Sequence, residues 1–332
     1  MNDALAIFRF LRDCTGRGER AVLVTLTEVT GSAARAVGAH MAVAESGASI
    51  GSFSGGCVEA AVIAEAQEVL ACGRARRVRY GAGSPYIDIR LPCGGGIDLL
   101  FAPVQDTVQL TRAFDLLEQR RPVMLNLSEE GTVAAYEALG TDVTSGWIGH
   151  SFLVRHDPPL RLVVMGHGAE PMALLKIASA YGADTFLLSP DSTLIEHARR
   201  SGYTADLLRL LGRSDRLSVD PWTAVVALFH DHDWEVDLLL QALEQNPFFV
   251  GAMGSRKTHA ERRQRLLAVC DSPLRIDQII GPIGLIDASR DPPTLAISIM
   301  AQVVQAYEGL VDVAPKTAPS ASTMNGTHRP NE

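Results

Sequence analysis

The stretch RLVVMGHGAEP, residues 161–171, carries the clearest signal of architecture in the chain. A short apolar run, Leu162 to Met165, ends at Gly166-His167-Gly168, and a helical pattern then runs to about Tyr181. Strand, glycine turn and helix in that order open a doubly wound parallel sheet. The glycines let the backbone turn tightly and approach a pyrophosphate at the helix N-terminus. Pro171 suits a first helical turn. Working outward, the alternation repeats. A strand at 184–189 precedes a helix at 192–201. A strand at 223–229 (TAVVALF) runs into His230-Asp231-His232-Asp233 and a helix to about Gln245. A strand at 248–252 (FFVGA) runs into Gly254-Ser255 and a basic helix to about Val269. The last helix, about 292–308, follows Pro292-Pro293. This alternation predicts a parallel sheet with right-handed crossovers.

Upstream the pattern differs. Residues 2–14 read as a helix and Arg20–Thr27 as a buried strand. Two short strands, Ala39–Ala44 and Ala48–Phe53, flank the turn Glu45-Ser46-Gly47. Ser54-Gly55-Gly56-Cys57-Val58-Glu59 opens a helix to about Ala71, with Gly73 as C-cap. Arg76–Tyr80 and Ile97–Ala102 read as strands around a second glycine-rich loop. Asp106 is expected to cap a helix through Arg120, and Pro122–Leu127 reads as a strand. Residues 129–157 read as short strands leading into a linker, His156-Asp157-Pro158-Pro159. The expected fold class is α/β: an N-terminal α/β domain over 1–155, then a C-terminal Rossmann-like parallel-sheet domain over 156–312. The Pro-, Ser- and Thr-rich residues 313–332 are expected to be a disordered tail.

The 332 residues, 47% hydrophobic and 20% charged, suffice for two cores. A net charge of -8 argues against nucleic acid as the main partner, because phosphate binding needs a basic face. No apolar run approaches the ~20 residues of a membrane span. The N-terminus lacks signal-peptide features, so a cytoplasmic location is expected. Five scattered cysteines without a CxxC fit reduced thiols better than a disulfide framework or a zinc site.

Several places could carry chemistry. Gly166-x-Gly168 is a candidate phosphate loop, against the plain alternative of a tight turn that binds nothing. An NAD site wants an acidic residue at the end of the next strand; Ser189-Pro190 stands there, with Asp191 beyond it. Gly254-Ser255-Arg256-Lys257 puts cations at a helix N-terminus. That is locally unfavourable unless an anion binds, or unless the helix simply presents a solvated basic face. Cys57 would sit at a helix N-terminus, which stabilises a thiolate, and Cys93 precedes Gly94-Gly95-Gly96 in a sterically open loop. A lone cysteine is usually a small buried hydrophobe, and Cys14, Cys72 and Cys270 are read that way. Two thiols beside glycine runs suit a soft metal centre or a transferable sulfur. The His230–Asp233 run could bind a divalent metal, but we expect a polar loop with one histidine facing the crevice. Arg35 is a further anion candidate.

Taken together, these motifs resemble the XdhC/CoxI family, accessory factors of xanthine dehydrogenase and related molybdenum hydroxylases. The matching segments are GSAARAVGAHM (31–41), GSFSGGCVE (51–59), LPCGGGID (91–98), the Gly166 loop, FVGAMGSRKTHA (249–260) and GPIGL (281–285). The chain departs from the family at Ala33, Ala34 and Ala36 and in His167–Pro171. The resemblance implies a chaperone that binds the pyranopterin molybdenum cofactor. Such a factor protects it during sulfuration by a cysteine desulfurase and passes it to an apo molybdenum hydroxylase; a homodimer is implied too. Cys57 and Cys93 would contact molybdenum. Arg35, Gly55, Gly56, Gly94, Gly166, Gly168, His230, Gly254, Ser255, Arg256 and Lys257 would hold the cofactor or a nucleotide, in a site expected between the two domains. The rivals are an NAD(P)-dependent oxidoreductase and a sulfur carrier with a Cys93 persulfide.

Overall fold

The computed structural model describes residues 4–56, 58–84, 94–105, 107–138, 145–270, 272–287, 289 and 291–311. Helix α1 (Ala4–Gly16) leads into β1 (Ala21–Thr30), β2 (His40–Ala44) and β3 (Ser49–Gly51). Then come α2 (Glu59–Cys72), β4 (Arg76–Gly81) and β5 (Gly96–Pro103). The five strands form an antiparallel sheet in the order β3-β2-β1-β5-β4. Its central strand β1 is apolar throughout its first half because both faces are covered. Ala21 and Leu23 point to a core shared with α1, whereas Val22, Val24 and Leu26 point to a core shared with α2. Gly73, in the left-handed region at φ 66°, caps α2 as its position suggests.

Helix α3 (Val108–Glu118) precedes β6 (Val123–Ser128), β7 (Val133–Glu137), β8 (Gly146–Ile148) and β9 (Ser151–His156). These strands are not a passage to the linker; they make a second antiparallel sheet, β7-β6-β9-β8. Its residues Leu125, Leu127, Ala135, Phe152 and Val154 join the core beneath α1 and α3. Asp106, the expected cap, lies outside the described residues. Helix α3 stops before Arg120, which takes φ 58°. No side chain favours that conformation except when held from outside.

The second half holds β10 (Arg161–Gly166), α4 (Glu170–Tyr181), β11 (Asp184–Ser189), α5 (Ser192–Arg200), β12 (Thr204–Leu207) and β13 (Thr223–Leu228). It continues with α6 (Glu235–Glu244), β14 (Phe249–Ala252), α7 (Arg256–Leu267), α8 (Pro273–Ile276), β15 (Ile279–Ile280) and α9 (Pro292–Val311). The six strands are parallel, in the order β12-β11-β10-β13-β14-β15. Numbered from β10 this is 3-2-1-4-5-6, the Rossmann order. Leu162 and Val164 face α4 and α9, while Val163 and Met165 face α6. The strands β12 and β15 and helix α8 carry no sequence signal: they are two to four residues long, too short for a periodicity to register. Among the described residues no helix is long and apolar enough to cross a membrane.

A buried histidine pair joins the two antiparallel sheets. His40 Nε2 lies 2.9 Å from His156 Nε2, and His40 Nδ1 lies 2.9 Å from Thr25 Oγ1. The Phe8 ring packs on both imidazoles. Two neutral rings can share one N–H, but a second proton would set donor against donor in an apolar core. Burial holds His156 down to about 4; burial and then the neighbouring imidazole hold His40 well below the usual histidine range. The unfolded chain therefore binds more protons below the ordinary histidine value near 6.5. Stability is full above that value and is expected to fall as pH drops toward 4, by about 1.4 kcal/mol per pH unit for each proton. Urea unfolding at pH 7.5 and 5 measures this. The double variant His40→Met, His156→Phe should flatten the slope, and an equal slope in both proteins would exclude the pair as its source.

Candidate functional site

Two loop clusters hold the residues singled out from the sequence. The first lies at one end of the β3-β2-β1-β5-β4 sheet. The segment between β3 and α2 is organised by Glu59. Its Oε1 accepts hydrogen bonds from Ser52 Oγ (2.8 Å), Phe53 N (2.9 Å) and Ser54 N (2.8 Å); its Oε2 accepts from Ser54 Oγ (2.9 Å) and Gly56 N (2.7 Å). Burial alone would raise this carboxyl. The donors from Ser54 and Ser52 outweigh it and bring the group down to about 2. Glu59 is not one of the residues singled out above, yet its place in the SGGCVE run, in the first turn of the helix, is the signal that could have found it. The loop it ties down carries Gly55 and Gly56, both exposed, at φ 74° and 128°. Nothing lies within 4 Å of where a Cβ would stand on either, so a partner could approach the backbone there.

Arg35 Nε donates to the Ser52 carbonyl at 3.2 Å, which ties the loop after β1 to the Glu59 loop. Gly95 packs against the same β1 loop so closely that a Cβ on it would stand 2.4 Å from the Ser32 carbonyl oxygen. Gly94 beside it is exposed at φ 68°, with open space around it. Arg35, Gly55, Gly56 and Gly94 thus belong to loops at one end of one sheet. Cys57 and Cys93 themselves lie outside the described residues. Of the cysteines read as packing residues, Cys14 is buried, whereas Cys72 is exposed at the end of α2. No group of three or more His, Cys, Asp or Glu that could hold a metal ion occurs among the described residues.

The second cluster lies at the carboxyl ends of β10, β13 and β14, where the strand order reverses and such sheets place their ligands. A cavity of about 750 Å³ opens there, lined among others by Glu170, His230, Gly254, Ser255, Arg256 and Asp287. All its described lining residues come from the second half of the chain. Gly168, at φ 93°, is held between Glu170 and His230: a Cβ on it would stand 2.8 Å from Glu170 Oε2 and 3.6 Å from His230 Nε2. His230 faces the cavity. The other three residues of its run turn elsewhere: Asp231 caps the short 3-10 helix at His232–Trp234, His232 bonds Glu235, and Asp233 pairs with Arg265.

Several of the candidate residues also have structural duties. Gly166 is glycine for the sheet, because a Cβ would stand 2.4 Å from the Leu228 carbonyl oxygen of the neighbouring strand. The Ser255 hydroxyl is engaged as the N-cap of α7, accepting from Thr258 N. Lys257 does not line the cavity; it is exposed and stands 3.9 Å from Glu261. The basic face of α7 is largely paired: Arg262 is buried on Glu235, Arg263 meets Asp277 and Arg265 meets Asp233. Arg256 is the one permanent cation among the described lining residues, against Glu170, Asp287 and Asp291.

The arrangement differs from an NAD site in its polar residues. The ribose acid is missing: Ser189 is buried at the end of β11 and its hydroxyl accepts from Asp191 N. Asp191 is committed to capping α5, accepting from Thr193 N and Leu194 N. Where a pyrophosphate would meet the glycine loop, the Glu170 carboxylate is already present. Like charges 4 Å apart repel by about 4 kcal/mol at an effective dielectric of ~20.

The Rossmann strand order agrees with comparisons to known proteins. The XdhC and CoxI family model matches residues 14–81, and the XdhC Rossmann domain model matches residues 162–303. The molybdenum cofactor insertion chaperone PaoD of Escherichia coli (strain K12) is 38% identical over 302 residues, 91% of this chain and 88% of that protein. The chain belongs to the XdhC and CoxI family. Another family relative, a probable xanthine dehydrogenase subunit of Bacillus subtilis (strain 168), is 25% identical, covering 86% of this chain and 93% of its own length. A crystal structure described as a xanthine dehydrogenase from Bacillus halodurans superposes with a TM-score of 0.71 at 26% identity, covering 93% of this chain and 96% of that one.

Proposed function

We propose that this protein carries the molybdenum cofactor as cargo and delivers it to an apo molybdenum hydroxylase, acting as an accessory factor and not as a turnover enzyme. The observation that supports this best is the 38% identity, over nine-tenths of the chain, to a protein named for inserting that cofactor. The geometry agrees in kind. Glu59 pre-organises a loop whose exposed glycines flank Cys57, and the Gly94 loop that follows Cys93 packs at the same end of the sheet. A loop already held by its own carboxylate loses little entropy on binding, which favours retention of a labile ligand. In this reading Cys57 and Cys93 offer thiolates to molybdenum, Arg35 and the exposed glycines hold the cofactor, and Arg256 takes a phosphate. The division into functional units falls near residue 156. Sulfuration by a cysteine desulfurase while the cofactor is held, and a homodimer, belong to the same reading.

Cofactor retention tests it. Purified protein is incubated with molybdenum cofactor, desalted anaerobically, and assayed for retained molybdenum and pterin. The parent is expected to retain the cofactor stoichiometrically. Cys57→Ala, Cys93→Ala and Glu59→Gln are expected to lose at least nine-tenths of it, the last because a carboxamide cannot accept the donors of Ser54 and Gly56 together. No retention by folded parent protein would sink the reading.

A further inference from the structure

The cavity beyond β10, β13 and β14 contains an unanswered acceptor. Glu170 Oε2 is buried and has no hydrogen-bond partner; His230 Nε2 is 3.6 Å away, beyond hydrogen-bond reach. His167 Nδ1, whose ring stands 5.6 Å from that of His230, is likewise buried without a partner. Buried polar groups are normally paired, so an orphaned carboxylate oxygen bordering a cavity asks for a donor from a ligand. The His230 side chain is 57% exposed and both residues line the cavity, so the pair borders open space. The group that meets Glu170 must bring N–H donors, because a carboxylate oxygen accepts and does not donate.

We propose that this cavity reads the 2-amino-4-oxopyrimidine edge of a pterin, with Glu170 accepting from its adjacent N–H donors and His230 meeting its ring carbonyl. The edge presents a ring N–H beside an exocyclic amino group, a donor pair like the fork of an arginine, which a carboxylate accepts in parallel. A histidine offers either a donor or an acceptor according to its tautomer, so it suits the neighbouring carbonyl. The assignment rests on the reading that the cargo is a pterin cofactor. It also gives a use to the acid in the first turn of α4, just after the glycine loop.

The test is a fluorescence titration of the full chain with 6-hydroxymethylpterin, in the parent, Glu170→Gln and His230→Ala. Saturable binding is expected in the parent, weakened at least tenfold by Glu170→Gln. 6-Hydroxymethyllumazine, which has an oxo group in place of the 2-amino group, is expected to bind at least tenfold more weakly than the pterin. NAD+ is expected not to compete. Equal affinity for pterin and lumazine, or no change in Glu170→Gln, overturns the assignment. So does displacement by guanosine at lower concentration than by the pterin itself, which would give the same edge to a nucleobase. The outcome is separable from the cargo reading. Retention of whole cofactor by the parent together with unchanged pterin binding in Glu170→Gln removes this site and leaves the chaperone standing. Failure of the parent to retain cofactor removes the chaperone, while the pterin–lumazine comparison still decides the cavity.

Discussion

Glu235→Ala is expected to destabilise the protein by about 3–5 kcal/mol, the cost of leaving one member of a buried ion pair alone. The Arg262 and Glu235 side chains are each only 1% exposed. Arg262 Nε donates to Glu235 Oε2 at 2.8 Å and Nη2 to Oε1 at 3.1 Å; Nη2 also donates to the Met253 carbonyl at 2.6 Å. His232 Nδ1 lies 3.0 Å from the same Oε2. One carboxylate therefore joins α6, α7, the loop after β14 and the run that ends in the cavity. Truncating it strands a guanidinium in a dry interior, where Nη1 already lacks a partner. The double variant Glu235→Leu, Arg262→Met replaces charge by apolar volume and is expected to recover most of the loss. Urea unfolding of both singles and the double supplies the cycle. A single variant costing under about 1 kcal/mol would show that the pair is solvated in solution.

Arg120→Ala is expected to cost about 3 kcal/mol and to split one thermal transition into two. The Arg120 side chain is 10% exposed and forks onto Asp220, with Nη2 to Oδ1 at 3.1 Å and a short contact from Nε to Oδ2. Its Nη1 also donates to the Pro159 carbonyl at 3.0 Å, in the segment between the antiparallel sheets and β10. Tyr307 on α9 donates to Pro158 O at 3.0 Å, so both linker carbonyls are taken. Asp220 further accepts from Trp222 N and Thr223 Oγ1. Burial would raise this carboxyl, but Arg120 and these donors hold it below the usual aspartate range. The stabilisation is therefore present above the unfolded aspartate value and is lost as pH falls below it. Arg120→Gly separates two effects. It removes the guanidinium but relieves φ 58°, and is expected to be milder than alanine by about 1 kcal/mol. Calorimetry reads both. A single unshifted transition in Arg120→Ala would mean that the halves are joined elsewhere.

These two clusters mark the limit of what pattern can show. Arg262 reads in sequence as one more cation on a basic helix, identical in kind to Arg263 and Arg265. Its burial depends on α6 lying beside α7, a fact of packing and not of composition. Arg120 reads as the end of a helix, because its partner Asp220 lies a hundred residues away. Glu59 and Glu170 each stand in the first turn of a helix after a glycine run and look alike locally. One is wrapped by its own loop; the other is left without a donor. In the segment 129–157 short strands are legible but their sheet is not, since β6 pairs with β9 while the two strands between them in sequence go to opposite edges.

Local pattern is enough for the parallel sheet, the glycine turn, the main strand and helix positions and the order of the family's motifs. Each of those is complete within roughly ten to fifteen residues: an apolar period of about 2 or 3.6, or a backbone turn only glycine makes without strain. The folded chain is needed to learn that Gly166 serves the sheet, that Ser255 is a cap, that the helix arginines are mostly paired, and that Glu170 faces His230. Those are questions of which group stands within about 3–4 Å of which, and strand order sets that distance for residues far apart in the chain.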